Sequence, residues 1–523
     1  MSAEIPRYGL IRRQFQLKSL VWFGLLVMAF IMSLAFSRDL DLGRVLFQVS
    51  LFSLCAAPYF LLAHEPRYRL VVFFLLVYYA MFGLLDYVLL FTDQDYRIFT
   101  SAGKIQRTTF ADLVILTGGV SVLVSYLLVA RWWGRSERLQ DPPHWAYTPS
   151  VLFAFGCWCV GITAQFVVQF VYGTTGPKAV GFLSHLVSNL YYLALLGGII
   201  MIITALNNAR SRLAWLLLAI AIGVEFIFGF LGNIKEVSFR LVILILIALF
   251  FLRGRISLLI VAIFIVVFVP YQSVFSIYRE NILQVREKSP LEAVQEFSKS
   301  AERISKESSR DVNSYVRSIF FFFDRVDGRK YVEIITQKVG HGVKFLNGET
   351  LNLYFYSFIP GALWKNKPQI STGQLMNRTF KLSASQETYV PTTQLGEFYW
   401  NFGVPGVLFG MSFVGMFLAL VNGVFLSGKG ASTVGMLVIM VAFYFLIMRF
   451  ESGFASQYNQ FTRVVVLVGL MAVVFSRLGW TVKSGLGVGG ETPSVRPGAL
   501  GSRGPVTRAL AKPGAPSGGL RRK

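Results

Sequence analysis

The sequence predicts an all-α polytopic membrane protein of about 12 transmembrane helices, with a large external loop containing amphipathic helices. Three observations predict it. Apolar residues make up 54% of the 523 and charged residues only 15%, whereas a soluble chain of this size carries about 25% charge. The apolar residues fall in runs long enough to cross a bilayer. Lys and Arg alternate from one inter-run segment to the next, as the positive-inside rule requires. Secreted, cytosolic and disulfide-stapled classes are excluded together. The three cysteines, Cys55, Cys157 and Cys159, all sit inside apolar runs and read as small buried hydrophobes. The four histidines are scattered, so no metal and no cofactor are expected.

The expected spans are 20–36, 45–63, 70–91, 111–130, 149–171, 181–205, 212–231, 237–251, 256–275, 403–426, 432–448 and 464–480. The first follows Arg7, Arg12, Arg13 and Lys18 like a signal peptide. Its apolar core is too long and no small-x-small site follows, so it reads as a retained anchor. The segments on the side of the basic N-terminus hold 23 Lys and Arg against 5 acids, and the short loops opposite hold 10 against 6. That asymmetry predicts cytoplasmic termini and an external segment 276–402. The organisation is then a membrane domain 1–275, the external loop 276–402, a membrane domain 403–480 and a basic tail 481–523. The tail has ten Gly, five Pro and eight Lys or Arg, too little apolar surface to bury, and reads as disordered. Nothing basic-aromatic accompanies its charge, so nucleic acid is not an expected partner.

In the external loop, Ser289-Pro290-Leu291-Glu292 is a helix start, with Ser as N-cap and Pro first in the helix. Apolar residues then recur at helical spacing, predicting an amphipathic helix over 290–308 and a second over 312–326. The aromatic stretch 345–368, broken at Pro360-Gly361, predicts a short helix that dips into the membrane interface. Residues 392–406 lead into the tenth span, with Thr392 or Thr393 as cap and Glu397 at its mouth. Gly340-His341-Gly342 reads as a turn.

Two segments carry a resemblance. Pro360 to Pro368 ends in an aromatic residue and Lys-Pro, and Gly396 to Gly406 reads Gly-Glu-x-Tyr-x-Asn-Phe-Gly-x-x-Gly as it enters a span. With the span count and the late external loop, this resembles the Wzy-type O-antigen and oligosaccharide repeat-unit polymerases. The motif covers about a tenth of the chain. The resemblance implies transfer of a glycan from an undecaprenyl-pyrophosphate carrier to a second lipid-linked unit, at the external face of a bacterial inner membrane. It further implies a chain-length regulator and a flippase as partners. The related O-antigen ligases share the donor and topology. A polysaccharide or lipid transporter is the alternative from another class.

Such a transfer needs cations for the leaving pyrophosphate and one carboxylate for the acceptor proton. Arg240, Arg279 and Arg449 are the candidate pyrophosphate-stabilising residues, and Glu397 is the candidate base. Lys235, Arg317, Lys365, Lys367 and Arg463 are further cations at external span ends or in the loop. Tyr399, Trp400 and Asn401 next to Glu397 suit a sugar ring. Each cation also reads as an interfacial snorkelling residue, and the aromatic group as a membrane-interface belt. Glu225 lies mid-span, where it needs a polar partner.

Overall fold

The structure, a computed structural model, describes residues 5–35, 41–90, 98–100, 103–105, 107–133, 147–167, 189–208, 211–231, 235–253, 327–359, 371–383, 388–425, 433–477 and 481–483. Isolated positions at 187, 268, 271, 274, 278, 295, 298–300, 302 and 364 complete it. The helices are α1 Ile5–Ala35, α2 Leu42–Leu62, α3 Arg69–Phe82, α4 Leu84–Leu89, α5 Thr109–Trp133, α6 Val151–Phe166, α7 Tyr192–Asn207, α8 Arg212–Leu231 and α9 Lys235–Arg253. They continue with α10 Arg329–Lys338, α11 Glu349–Tyr356, α12 Thr372–Phe380, α13 Gln394–Phe425, α14 Thr433–Ala442 and α15 Phe454–Arg477. Two short antiparallel pairings join them: β1 Ile98–Thr100 with β2 Gly103–Ile105, and β3 Tyr147–Pro149 with β4 Thr481–Lys483. The chain divides into Met1–Val488, which holds every described residue, and Gly489–Lys523.

The chain is a helical membrane protein. Five described helices are long and apolar enough to cross a bilayer: Leu42–Leu62, Thr109–Trp132, Arg212–Phe230, Gln394–Phe425 and Phe454–Val474. Shorter apolar helices occupy Ser19–Leu34, Val151–Phe166, Tyr192–Asn207 and Val434–Met448. Several boundaries differ from the sequence expectation. The run 70–91 is broken at Gly83, where the chain steps between α3 and α4. The run 432–448 is α-helical to Ala442 and then widens into a π-helical segment, Phe443–Met448. The last apolar helix starts at Phe454, ten residues before the expected 464, because Tyr458 and Phe461 pack inward with the apolar run. Helices α10 and α12 and the β1–β2 pairing were not foreseen, being short and mixed in polarity. The tail, expected to be disordered from 481, pairs through Thr481–Lys483. The helix expected over 312–326 lies outside the described residues, as does most of 290–308. Residues 298–300 are helical.

Helix packing follows small residues. α6 lies along α7, and each gives the other a glycine. A Cβ on Gly161 would sit 2.0 Å from the Ala194 nitrogen, and one on Gly197 2.4 Å from the Ala154 oxygen. Backbones approach this closely in membranes because apolar side chains gain little by meeting each other rather than lipid. α5 packs along α13 in the same way.

The polar ends of the helices gather in two sets. In one, the Arg67 carbonyl accepts from Tyr126 Oη at 2.5 Å and from Asn422 Nδ2 at 2.5 Å. Arg69 donates to the carbonyls of Phe251 and Leu252 at the end of α9, satisfying groups that a helix terminus leaves open. In the other set, α10 docks on the facing ends of α2, α4 and α5. Arg44 Nε lies 3.0 Å from Asp86 Oδ1, and Gln48 Nε2 donates to Asp86 Oδ2 at 2.7 Å. Arg107 Nη2 is 2.7 Å from Asp112 Oδ2. Arg329 is wholly buried and contacts Asp86, Asp112 and Glu333, with its guanidinium over the Phe47 ring. Glu333 also accepts from Thr108 N at 3.0 Å and Thr108 Oγ1 at 2.8 Å. Three arginines and three carboxylates therefore neutralise one another inside the protein.

Candidate functional site

α13 is two helices joined at a kink. Gly403 has φ 65°, a conformation open to glycine, and Pro405 follows with no N–H to donate. The kink frees the carbonyls of Trp400 and Asn401. Leu346 N and Asn347 N donate to them, each at 3.1 Å, and Gly348 N donates to Asn401 Oδ1 at 2.9 Å. Asn401 Nδ2 donates to Thr350 Oγ1 at 2.7 Å and to the Glu397 carbonyl at 2.8 Å. The segment 346–350 thus completes the hydrogen bonding that the kink interrupts. Of the two threonines proposed as cap, Thr393 serves: its Oγ1 accepts from Gly396 N at 3.0 Å. Thr393 has φ 55°, an outlier for a β-branched residue. It is pinned there by its N–H donating to the Glu451 carbonyl at 2.9 Å.

That bond joins the start of α13 to the turn 449–453, which precedes α15. Gln457 locks the turn: its Nε2 donates to the Arg449 and Ser452 carbonyls, and its Oε1 accepts from Gln394. Phe454 N donates to Glu397 Oε2. Glu397 Oε1 is buried, and the Thr350 hydroxyl is the polar neighbour of the carboxylate. A Cβ on Gly453 would come 2.5 Å from Glu397 Oε2, so the turn can lie on the carboxylate only because that position lacks a side chain.

On the outer side of the same turn, Arg449 Nη2 is 2.5 Å from Glu236 Oε2, and Tyr444 Oη donates to Glu236. Arg449 also donates to Gln460 Oε1. Its side chain is 26% exposed. Arg463 donates from Nε to Asn459 Oδ1 and from Nη2 to the Ser357 carbonyl, both at 2.9 Å. Glu397, Arg449 and Arg463, chosen from sequence, therefore lie around one turn and the helix that follows it. Their connecting residues Gln394 and Gln457 were missed. A buried Gln beside a span end carries no spacing signal to find it by.

Other expectations are corrected. Arg240, expected to face pyrophosphate, is 1% exposed and points within the bundle. Its Nη2 is 2.5 Å and its Nε 3.2 Å from the two oxygens of Glu225, which also accepts from Trp158 Nε1 at 2.9 Å. The pair answers the need of mid-span Glu225 for a partner. Breaking it by Arg240→Ala or Glu225→Ala should cost about 3–5 kcal/mol, whereas Arg240→Met with Glu225→Leu should be close to neutral. Thermal unfolding in detergent separates the cases; a double variant that loses as much as the two Ala variants added together would mean the pair is not coupled. Tyr399, Trp400 and Asn401, expected to suit a sugar ring, are buried. Trp400 packs against Phe380 with ring centroids 5.0 Å apart, and Asn401 spends its side chain on the kink. Lys235 is the first residue of α9. Arg279, Arg317, Lys365 and Lys367 lie outside the described residues. Among the described residues no three His, Cys, Asp or Glu side chains gather to hold a metal.

No protein-family model, curated protein or solved structure matches this chain.

Proposed function

We propose that this chain polymerises undecaprenyl-pyrophosphate-linked oligosaccharide units at the external face of a bacterial inner membrane. In this reading it has twelve spans, cytoplasmic termini and 276–402 outside. The observation that carries the proposal is the pairing of the Gly396–Gly406 segment with the Arg449 turn. Gln457 fastens the backbone of the Arg449 turn to Gln394 at the start of that segment, and Phe454 N donates to Glu397, so a buried carboxylate and a partly exposed arginine, both candidates from sequence, belong to one packed unit.

In the proposed reaction the acceptor sugar hydroxyl attacks the anomeric carbon of the donor. The new glycosidic bond forms as the bond to pyrophosphate breaks, and the hydroxyl proton passes to Glu397 Oε1. Arg449 and Arg463 take the charge that builds on the leaving pyrophosphate, Arg449 exchanging Glu236 for the phosphate oxygens. Guanidinium suits this because it donates to two oxygens at once. Glu397 has no exposed surface, so the proposed step requires the 449–453 turn to part from it, breaking the bonds from Gln457 and Phe454. The chemistry is positional and electrostatic and draws its energy from the donor.

Deleting the gene and analysing the host's glycans tests the assignment. Loss of polymer with single repeat units retained on lipid supports polymerisation; intact polymer, or units trapped inside the cell as a flippase would leave them, refutes it. Arg449→Ala should lower polymer yield by roughly 10²–10³ at unchanged protein level. Arg449→Lys should restore little of it, since an ammonium is a point charge. Full activity of the Lys variant would remove the bidentate role.

A further inference from the structure

Beyond its kink, α13 presents an exposed apolar face through Leu408, Phe409, Phe413, Met416 and Leu420, with Phe409 at 73% exposure. In a helix long enough to cross the bilayer this face meets lipid tails. Followed toward the kink, it reaches two exposed rings. Phe402 lies against Gly348, 3.2 Å from where a Cβ would be, and Phe345 lies 3.4 Å from the same point on Gly403. Next along the chain stand Lys344 and His341, both exposed, and Lys338, half-buried. No acid occurs between Lys338 and Gly348; Glu349, exposed at the start of α11, is the first.

The turn that carries these cations is closed by backbone hydrogen bonds. The Lys338 carbonyl accepts from His341 N and Val343 N, each at 3.1 Å, and Gly340 N donates to the Val343 carbonyl at 2.8 Å. Gly340 and Gly342 supply the positive φ values, 85° and 125°, that close it. Apolar stripe, aromatic pair and basic turn follow one another in the order in which a bilayer passes from hydrocarbon through interface to phosphate. A protein partner would give no reason for the turn to continue a lipid-facing stripe.

We infer that the turn 338–345 is a docking surface for the anionic phospholipid headgroups of the surrounding bilayer, set at headgroup depth by Phe345 and Phe402. Lys338 and Lys344 supply the charge. The inference needs only that α13 crosses a membrane and is independent of the reaction proposed above. Its consequence is that α10, which ends in this turn, is tied to the membrane surface at one end and to the buried charges of Arg329 and Glu333 at the other.

The test uses the full-length protein with Cys55, Cys157 and Cys159 replaced by Ala and a nitroxide at His341→Cys. It is reconstituted in nanodiscs of phosphatidylcholine alone or mixed with phosphatidylglycerol. Collision with a water-soluble nickel reagent should fall, and the label should slow, in the mixed discs. Lys338→Gln with Lys344→Gln should abolish the contrast, at about fivefold in bound-to-free ratio per lysine. The Lys→Arg pair should preserve it, which controls for disturbance of the turn. Equal nickel access in both discs, or a contrast that survives the double Gln variant, overturns the inference. So does a label shielded from nickel in both discs, which would indicate a protein neighbour.

Discussion

Arg329→Ala should lower stability by about 3–5 kcal/mol, enough to cut the yield of folded protein sharply. Arg329 has no exposed surface and lies among Asp86, Asp112 and Glu333. Without it those three carboxylates keep, among the described residues, the cations Arg44 and Arg107. Repulsion and lost solvation then fall on groups that cannot reach water. Arg329→Lys should recover part of the loss, because one ammonium cannot reach all three acids in the geometry of a guanidinium. Arg329→Met combined with Asp112→Asn and Glu333→Gln should recover more, since it removes the imbalance with the cation.

The deficit of the Ala variant also has a pH sign. Burial pushes the Glu333 carboxyl above its ordinary range, and Arg329 opposes that rise. Removing Arg329 raises it further. The folded state then holds a proton that the unfolded chain gives up, so stability falls as pH rises from the ordinary Glu value through the raised folded one. The variant should accordingly sit closer to wild type at pH 5 than at pH 8. Thermal unfolding in detergent at both values reads this directly; a deficit that grows on acidification would contradict the assignment of Glu333.

Much of this architecture is legible in the sequence because lipid imposes a strong rule: apolar runs must be long and helical. The runs at 45–63, 111–130 and 212–231 coincide with α2, α5 and α8 to within a few residues. Where the rule weakens, legibility fails. Gly83 divides an apolar run whose one charge is Asp86, and the glycine itself looks no different from Gly118 inside continuous α5. Asp86 and Asp112 look ordinary at span ends, and Arg329 stands more than 200 residues from either. Their meeting is a property of tertiary packing, with no period to betray it. For the candidate site, Glu397 and Arg449 were visible as charges beside apolar runs. Arg240 was visible in the same way and belongs to Glu225, because charge at a span end does not state which way a side chain turns. Trp400 reads equally as a sugar platform or as core, and the kink at Gly403 decides for core.

Glu397→Gln should leave folding intact and slow polymer formation about 10²–10⁴-fold. The amide oxygen of Gln can still accept from Phe454 N, so the contact that holds the 449–453 turn survives. What disappears is the ability of the second position, Oε1, to take a proton. The Thr350 hydroxyl is the polar neighbour of that carboxylate, so an acceptor hydroxyl would reach Oε1 beside it. The strained Thr393 just before it argues for the same site. A β-branched residue at positive φ costs on the order of 1–3 kcal/mol and persists where its surroundings over-determine it, as they do near reacting groups. A purely structural Glu397 would behave differently: Gln would be nearly silent, and Gly453→Ala, which pushes a methyl into the carboxylate, would be the harmful change. The decisive comparison is therefore chain yield and melting temperature measured together for both variants. A Gln variant with normal melting and little polymer assigns the proton to Glu397. A Gln variant with wild-type polymer, beside a Gly453→Ala variant that melts early, makes the carboxylate a fastening for the turn and moves the search for the base to Glu349 or Glu451.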